Sequence, residues 1–312
     1  MNPLARFPQI RVFERGWLSS NNILLLGAGD HALIDTGYLS HAPQTVALVE
    51  SELAKRAGGE PLARLLNTHC HSDHMGGNAA IQARYACRTS IPVGEAPLIE
   101  AWDEEALLLA YADQRAERFR VDETIAPGDT LRLGDFEWQA LAAPGHDPHA
   151  LMFYAPEAKM LISGDALWEN GFGVIFPQMF GRTTAFAETR CTLDTIAELD
   201  VEIVIPGHGP VFTEVDAALE RAFSRLDAYE EDPGRLARHA AKVMLTFALL
   251  DRRSMSLADL PAYVGRVPIL RDINNRYLAM TPEHLAEWLV HELERARAIR
   301  REGGMIVPVV AA

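Results

Sequence analysis

The stretch Asn67–Asn78, NTHCHSDHMGGN, decides how this chain folds and what it can do. Three of the chain's 11 histidines and an aspartate fall within six residues, His69 to His74. The run ARLL just before it is short and apolar and reads as a buried strand. In extended backbone, side chains two apart point the same way. His69 and His71 therefore share a face, Cys70 points to the other side, and Asp73 and His74 follow in the turn. Four ligand-type side chains converge at a strand end. Neutral imidazole and carboxylate form the ligand set of zinc, and also suit iron and manganese.

The pattern recurs downstream. APGH places His146 after an apolar strand, LISGD places Asp165 after another, and VIPGHG places His208 after a third. Strand ends on one edge of a sheet can face a common cleft, so residues distant in sequence become candidates for one site.

The surrounding sequence supplies the strands and helices. NNILLLGAGDHALIDTG reads as a hairpin ending at Asp35-Thr36-Gly37, and APQTVALVESELAKRA has helical spacing. GGNAAIQARYA opens a helix, IPVGEAPLIEAW gives a strand and a helix, and the stretch to about Arg120 is expected to be helical. A second strand-rich block follows in DTLRLGDFEWQALAAPGH, ALMFYA and KMLISGDAL, then a helix in TAFAETRCTLDTIAEL and a strand in VEIVIPGHGP. Two successive strand–helix halves imply sheets covered by helices.

The character changes at YEEDPGRL, which is charged and breaks helices. Residues 1–230 are expected to form one domain and 235–312 a second. RLARHAAKVMLTFALL, SLADLPAYV and TPEHLAEWLVHELERARAIR read as helices, followed by a Gly-Gly turn and the apolar run MIVPVV. Three helices and a terminal strand suggest a small helical or winged-helix-like module. Thr281-Pro282-Glu283 is a helix start: Thr as cap, Pro at the first position, Glu in the first turn.

Composition bounds the function. Apolar content of 48% and charged content of 23% over 312 residues are those of a globular chain. No apolar run reaches the roughly 18 residues of a membrane span, and the N-terminus lacks an apolar signal core. Three cysteines, Cys70, Cys87 and Cys191, do not make a disulfide framework, so a reducing cytoplasm is the expected location. The net charge of −14 is uneven: residues 1–234 hold 17 Lys+Arg against 35 Asp+Glu, and residues 235–312 hold 12 against 8. An acidic body argues against nucleic acid spread over the whole surface without excluding it, and the basic C-terminal part leaves a local anion contact open.

His69-x-His71-x-Asp73-His74, with His146, Asp165 and His208 following in order, resembles the metallo-β-lactamase fold superfamily, over about residues 15–215. The resemblance implies an α+β fold, a four-layer αββα sandwich with a metal site along one edge. It implies two divalent metal ions, zinc foremost with iron or manganese as alternatives. His69, His71 and His146 would hold the first, Asp73, His74 and His208 the second, with Asp165 bridging. Water activated to hydroxide between the ions would attack, and Asp73 and His74 would act as catalytic residues. An aspartate at position 165 resembles the glyoxalase II, lactonase and RNA-processing branches. The sequence reads Gly145-His146-Asp147-Pro148-His149, one residue shorter between the histidines than in many relatives. His149 is read either as a support beside a ligand or as a turn histidine. Asp35 is read either as a partner orienting a ligand histidine or as a turn carboxylate.

WENGFGVIFPQMFGRT follows Asp165. Trp168, Phe172, Phe176 and Phe180 either line an apolar acyl pocket or pack in the core. From the C-terminal part, Arg271, Arg276 and Tyr277 are candidates to contact an anionic acyl carrier. The expected function is hydrolysis of a thioester, ester or lactone in a small-molecule substrate. The alternatives are an endoribonuclease acting on single-stranded RNA and a mono-iron persulfide dioxygenase. A homodimer stays open.

Overall fold

The computed structural model describes residues 3–28, 30–55 and 61–309. Its first sheet contains β1 (Ile10–Phe13), β2 (Asn22–Leu25), β3 (His31–Ile34), β4 (Leu62–Leu66), β5 (Arg88–Pro92) and β6 (Glu123–Ile125), paired in that order. β1 to β3 are antiparallel neighbours, and β3 to β6 run parallel. Parallel neighbours need a crossover. α1 (Ala42–Leu53), the pair α2 (Ser72–Met75) and α3 (Asn78–Arg84), and α4 (Ala96–Ala101) lie in those connections.

The second sheet holds β7 (Thr130–Leu133), β8 (Phe136–Ala142), β9 (Leu151–Ala155), β10 (Met160–Gly164) and β11 (Ile203–Pro206), in the order β11-β10-β9-β8-β7. β7 to β10 form an antiparallel meander, and β11 joins β10 in parallel after α5 (Phe176–Met179) and α6 (Ala185–Glu198). β8, β10 and β11 therefore share a direction, and the loops leaving them emerge at one edge. Those loops carry His146, Asp165 and His208.

Side-chain alternation builds the layers. Ile23 and Leu25 of β2 face a core filled from the second sheet by Trp138, Ala140, Phe153, Ile162 and Ile205. Leu24, Leu33 and Leu65 face the other way, onto Val49 and Leu53 of α1 and Ile81 of α3. On the outer side of the second sheet, Met152, Leu161 and Val204 meet Leu193 and Ile196 of α6. The result is helix, sheet, sheet, helix, the fold class expected.

α7 (Val215–Glu231) ends at Asp232, whose carboxylate accepts the Gly234 N–H at 2.9 Å and caps α8 (Pro233–Arg252). β12 (Met255–Ser256), α9 (Leu260–Arg266), α10 (Pro268–Ile273), a π-helical turn at Asn274–Leu278, α11 (Pro282–Arg295), β13 (Ile299–Glu302) and β14 (Met305–Pro308) complete the chain. The three short strands pair in the order β12-β14-β13, giving helices flanked by a winged hairpin. Thr281 caps α11 by accepting the His284 N–H. Leu236, Leu245, Val264 and Leu289 of these helices join the core that α6 and α7 share with the second sheet. Among the described residues no helix is long and apolar enough to cross a membrane.

Two stretches depart from expectation. The helix expected to run to about Arg120 stops at Ala101. Trp102, Leu108 and Asp113 take positive φ, and Leu107 and Leu109 are both buried with Trp102 and Cys70. In one helix Leu107 and Leu109 would point to opposite sides, so burying both breaks the helix. The last helix ends at Arg295 instead of reaching Arg300. Arg297 turns at positive φ, and Ile299 is buried as the first residue of β13.

Candidate metal centre

The loop after β4 and the loop after β8 bring three imidazoles together. His71 Nδ1 lies 3.1 Å from His69 Nε2 and 2.8 Å from His146 Nε2. A tetrahedral zinc with Zn–N bonds of about 2.0–2.1 Å would space its nitrogens roughly 3.3 Å apart, close to what is seen. Asp73, His74 and His208 form a second group, with His208 Nε2 3.0 Å and His74 Nε2 3.8 Å from Asp73 Oδ2. Asp165 stands between the groups. Its Oδ2 is 3.4 Å from His146 Nε2, and its Oδ1 is 3.4 Å from His74 Nε2. Each grouping could hold a metal ion: His69, His71 and His146; His69, His74 and Asp165; Asp73, His74 and His208.

Buried partners fix which nitrogens face inward. Asp35 Oδ2 accepts from His74 Nδ1 at 2.8 Å and from the Thr68 hydroxyl at 2.8 Å. That leaves the Thr68 oxygen to accept from His69 Nδ1, 3.1 Å away. One carboxylate thus sets His74 directly and His69 through a hydroxyl, turning both Nε2 atoms toward the cluster. His146 Nδ1 donates to the Val174 carbonyl at 2.6 Å, with the same effect. The outer nitrogen of His71 lies 3.7 Å from Asp147 Oδ2.

Electrostatics follow from burial. Burial, then the neighbouring imidazoles, holds His69 well below the ordinary histidine pKa and His71 down at about 4. Burial also opposes charge on His74, but Asp35, Asp165 and Asp73 outweigh it and raise its pKa well above the ordinary value. Burial would raise Asp73 and Asp165; the facing histidines reverse this, and both carboxyls are held low. Beside Asp147, Glu95 is pushed well up by burial and by that carboxylate.

The residues fit a cation. His74 Nε2 is buried without a hydrogen-bond partner while aimed between two carboxylates. The donors are the imidazole nitrogens and carboxylate oxygens that bind zinc, iron or manganese. Cys70 sits elsewhere, buried with Met75, Ile91 and Trp102.

Other candidate residues divide. Trp168 Nε1 points at Asp165 Oδ1 from 3.3 Å, and the Phe176 ring lies 5.8 Å from that of His146. Phe172 instead packs in the core edge-on to Tyr229, because it sits beyond the turn at Gly171. His149 is exposed and lies against Gly94. Arg271 pairs with the adjacent Asp272 at the surface. Arg276 and Tyr277 reach the Met179 carbonyl at 3.1 and 3.4 Å, and Arg276 lies over Phe180.

Sequence reading missed three contributors. Trp17 stacks on His208, with 5.5 Å between centroids and 8° between planes. A Cβ at Gly173 would come within 2.6 Å of His146 Nδ1, and one at Gly207 would collide with Asp165 Oδ1, so both positions need glycine. Gly207 carried a signal in its place just before His208, whereas Gly173, eight residues past Asp165, and Trp17 carried none.

A model of the metallo-beta-lactamase superfamily matches residues 15–208. The hydroxyacylglutathione hydrolase of Brucella anthropi is 29% identical over 150 residues, 45% of this chain and 50% of that protein. The probable metallo-hydrolase YqgX of Bacillus subtilis (strain 168) is 30% identical over 176 residues, 53% of this chain and 78% of its own length. The chain spans about half the length of the hydroxyacylglutathione hydrolases it matches. A metallo-beta-lactamase family protein from Thermus thermophilus has a similar fold, with a TM-score of 0.58 at 20% identity over 98% of this chain and 100% of that one.

Proposed function

We propose that this chain, which belongs to the metallo-β-lactamase superfamily, is a metal-dependent hydrolase that cleaves a thioester, ester or lactone. The observation that carries the reading is the placement of Asp165, whose two oxygens each lie 3.4 Å from a histidine of a different group. His69, His71 and His146 would hold one divalent ion, Asp73, His74 and His208 a second, and Asp165 would be shared. Two bound ions would supply a nucleophile from water at neutral pH and polarise the acyl oxygen.

The chain's own residues do the rest. Asp73, a carboxylate at neutral pH, would take a proton from attacking water. His74, with its Nδ1 tied to Asp35, keeps Nε2 turned to the same space. Phe176 and Trp168 limit water on two sides of the cluster. Arg276 of the C-terminal part reaches the Met179 carbonyl, and its other donors would suit a carboxylate-bearing acyl carrier. Residues 1–230 would be the catalytic unit and 235–312 the unit that completes the cleft. The thioester is favoured because the hydroxyacylglutathione hydrolases are among the relatives.

The test is hydrolysis of S-lactoylglutathione, set beside a labelled single-stranded RNA, by protein loaded with zinc, iron or manganese. Thioester turnover is expected. Cleavage of RNA alone would move the chain to phosphodiester chemistry, and oxygen consumption with one iron per chain would make it a dioxygenase.

A further inference from the structure

Trp17 is 59% exposed, the most exposed large hydrophobic side chain among the described residues, and it stands at the candidate metal centre. One face is offset-stacked on His208, and its ring meets that of Trp168 at 5.5 Å and 64°. Trp168 in turn lies 5.3 Å from His208 at 70°. The two indoles and the imidazole make a corner whose open side faces solvent beside the cluster.

The backbone that carries each indole is held in place before anything binds. The loop carrying Trp17 is bolted to the ligand loops: Ser20 N–H donates to the Asp73 carbonyl at 2.9 Å and Asn21 N–H to the Gly207 carbonyl at 2.6 Å. The Asn21 side chain adds bonds to the carbonyls of Pro206 and Gly209 at 3.0 and 2.7 Å. Trp168 sits in a tight turn closed by its N–H to the Gly171 carbonyl at 2.6 Å, and Arg221 grips the Glu169 carbonyl from α7. A rigid, exposed apolar surface beside a reaction centre gains nothing in folding from its exposure. It gains in binding, because its ordering cost has already been met.

We propose that Trp17, with Trp168, forms the acyl subsite and selects substrates whose acyl group carries an aryl ring. The inference rests on the hydrolase reading above and names its substrate class. A ring can lie offset on the free part of Trp17 and present its edge to Trp168, an arrangement worth a factor of about 2 to 10 beyond area alone. An aliphatic chain gains only the area. Phe176 stands on the His71 and His146 side of the cluster, so the aryl group has its own side, next to His208.

The test uses the zinc-loaded full chain with S-acetyl- and S-phenylacetylglutathione. The wild type is expected to favour the phenylacetyl thioester in kcat/KM. Trp17→Ala should cut that preference about tenfold, while Trp17→Phe, which keeps a ring, should retain most of it. Binding is read separately, without turnover: phenylacetate should quench tryptophan emission of the wild type at far lower concentration than acetate, and this difference should collapse in Trp17→Ala, read on the remaining tryptophans, and persist in Trp17→Phe with a smaller signal. Equal loss on both thioesters, loss of zinc from Trp17→Ala, or a change in its molecular mass in solution would overturn the proposal; Trp17 would then shield His208 or join two copies of the chain. If neither thioester is hydrolysed, the thioester reading fails, and the phenylacetate titration still decides the role of Trp17.

Discussion

Asp35 Oδ2 lies 2.8 Å from His74 Nδ1, and Asp35 holds this position at a φ of +57°. A non-glycine residue in the left-handed region is strained, and it persists where the surroundings over-determine it. Here the Thr68 N–H at 2.9 Å, the Thr68 hydroxyl at 2.8 Å and His74 all converge on one carboxylate. The strain is the cost of turning a buried acid beneath both candidate metal-binding groups.

Asp35→Asn should therefore weaken metal binding about 10- to 100-fold while the chain still folds. The amide can accept from one donor but cannot accept from both His74 and Thr68 with the same oxygen charge. Competition with a chromophoric zinc chelator measures the effect. Affinity within twofold of wild type would mean that His74 needs no orienting partner.

Gly173→Ala tests whether the wall behind His146 is a sterically closed site. The added methyl would sit 2.6 Å from His146 Nδ1 and 3.0 Å from the Asp165 Cβ. Relief requires moving His146 off the Val174 carbonyl, an overpacking cost of about 1–3 kcal/mol. Lower thermal stability and reduced zinc content are expected together. An alanine variant with wild-type zinc content and Tm would show that the loop yields freely.

The legible part of the site was what chemistry writes into residue type. His69, His71, Asp73, His74, His146, Asp165 and His208 are ligand-type residues at the ends of apolar strands, and parallel strand directions gather them at one edge. The hairpin over Asn22–Ile34 and the cap at Thr281 were equally readable from turn and capping rules. What was not readable depends on packing across long sequence distances. Nothing local says that Trp17 will lie on His208, or that the Val174 carbonyl will meet His146. The segment after Ala101 misled because its residues favour helix while Leu107 and Leu109 must both reach the core.

His239 makes stability depend on pH at a place remote from the cluster. Burial, then Arg225 and Lys242, holds its pKa at about 4, while its unfolded value is near 6.5. Between those values the unfolded chain binds the extra proton, so stability is full above about pH 6.5 and falls as pH drops toward 4. The loss reaches up to roughly 3 kcal/mol, less for the part of the ring that water touches. His239→Gln should narrow the gap between the melting temperatures at pH 7 and pH 5. An unchanged gap would place the acid sensitivity elsewhere.

Asp165→Asn addresses the centre itself. The carboxylate is held well below the ordinary range, against burial, by His74, His208 and His146. Those histidines lie on both sides of it, so its charge is shared between the two groups rather than assigned to one. An amide keeps the shape but supplies one acceptor oxygen and no charge, and its NH₂ end would face an imidazole nitrogen that has to bind a cation. Both groups should then lose affinity together, with metal content falling below one ion per chain and turnover to less than about a tenth of wild type. Removing a residue that serves one group only, as in His208→Ala, should spare the other. Metal analysis by inductively coupled plasma spectrometry on the two variants separates these outcomes. Retention of two ions by the asparagine variant would mean that Asp165 is a neighbour of the cluster and does not join its halves.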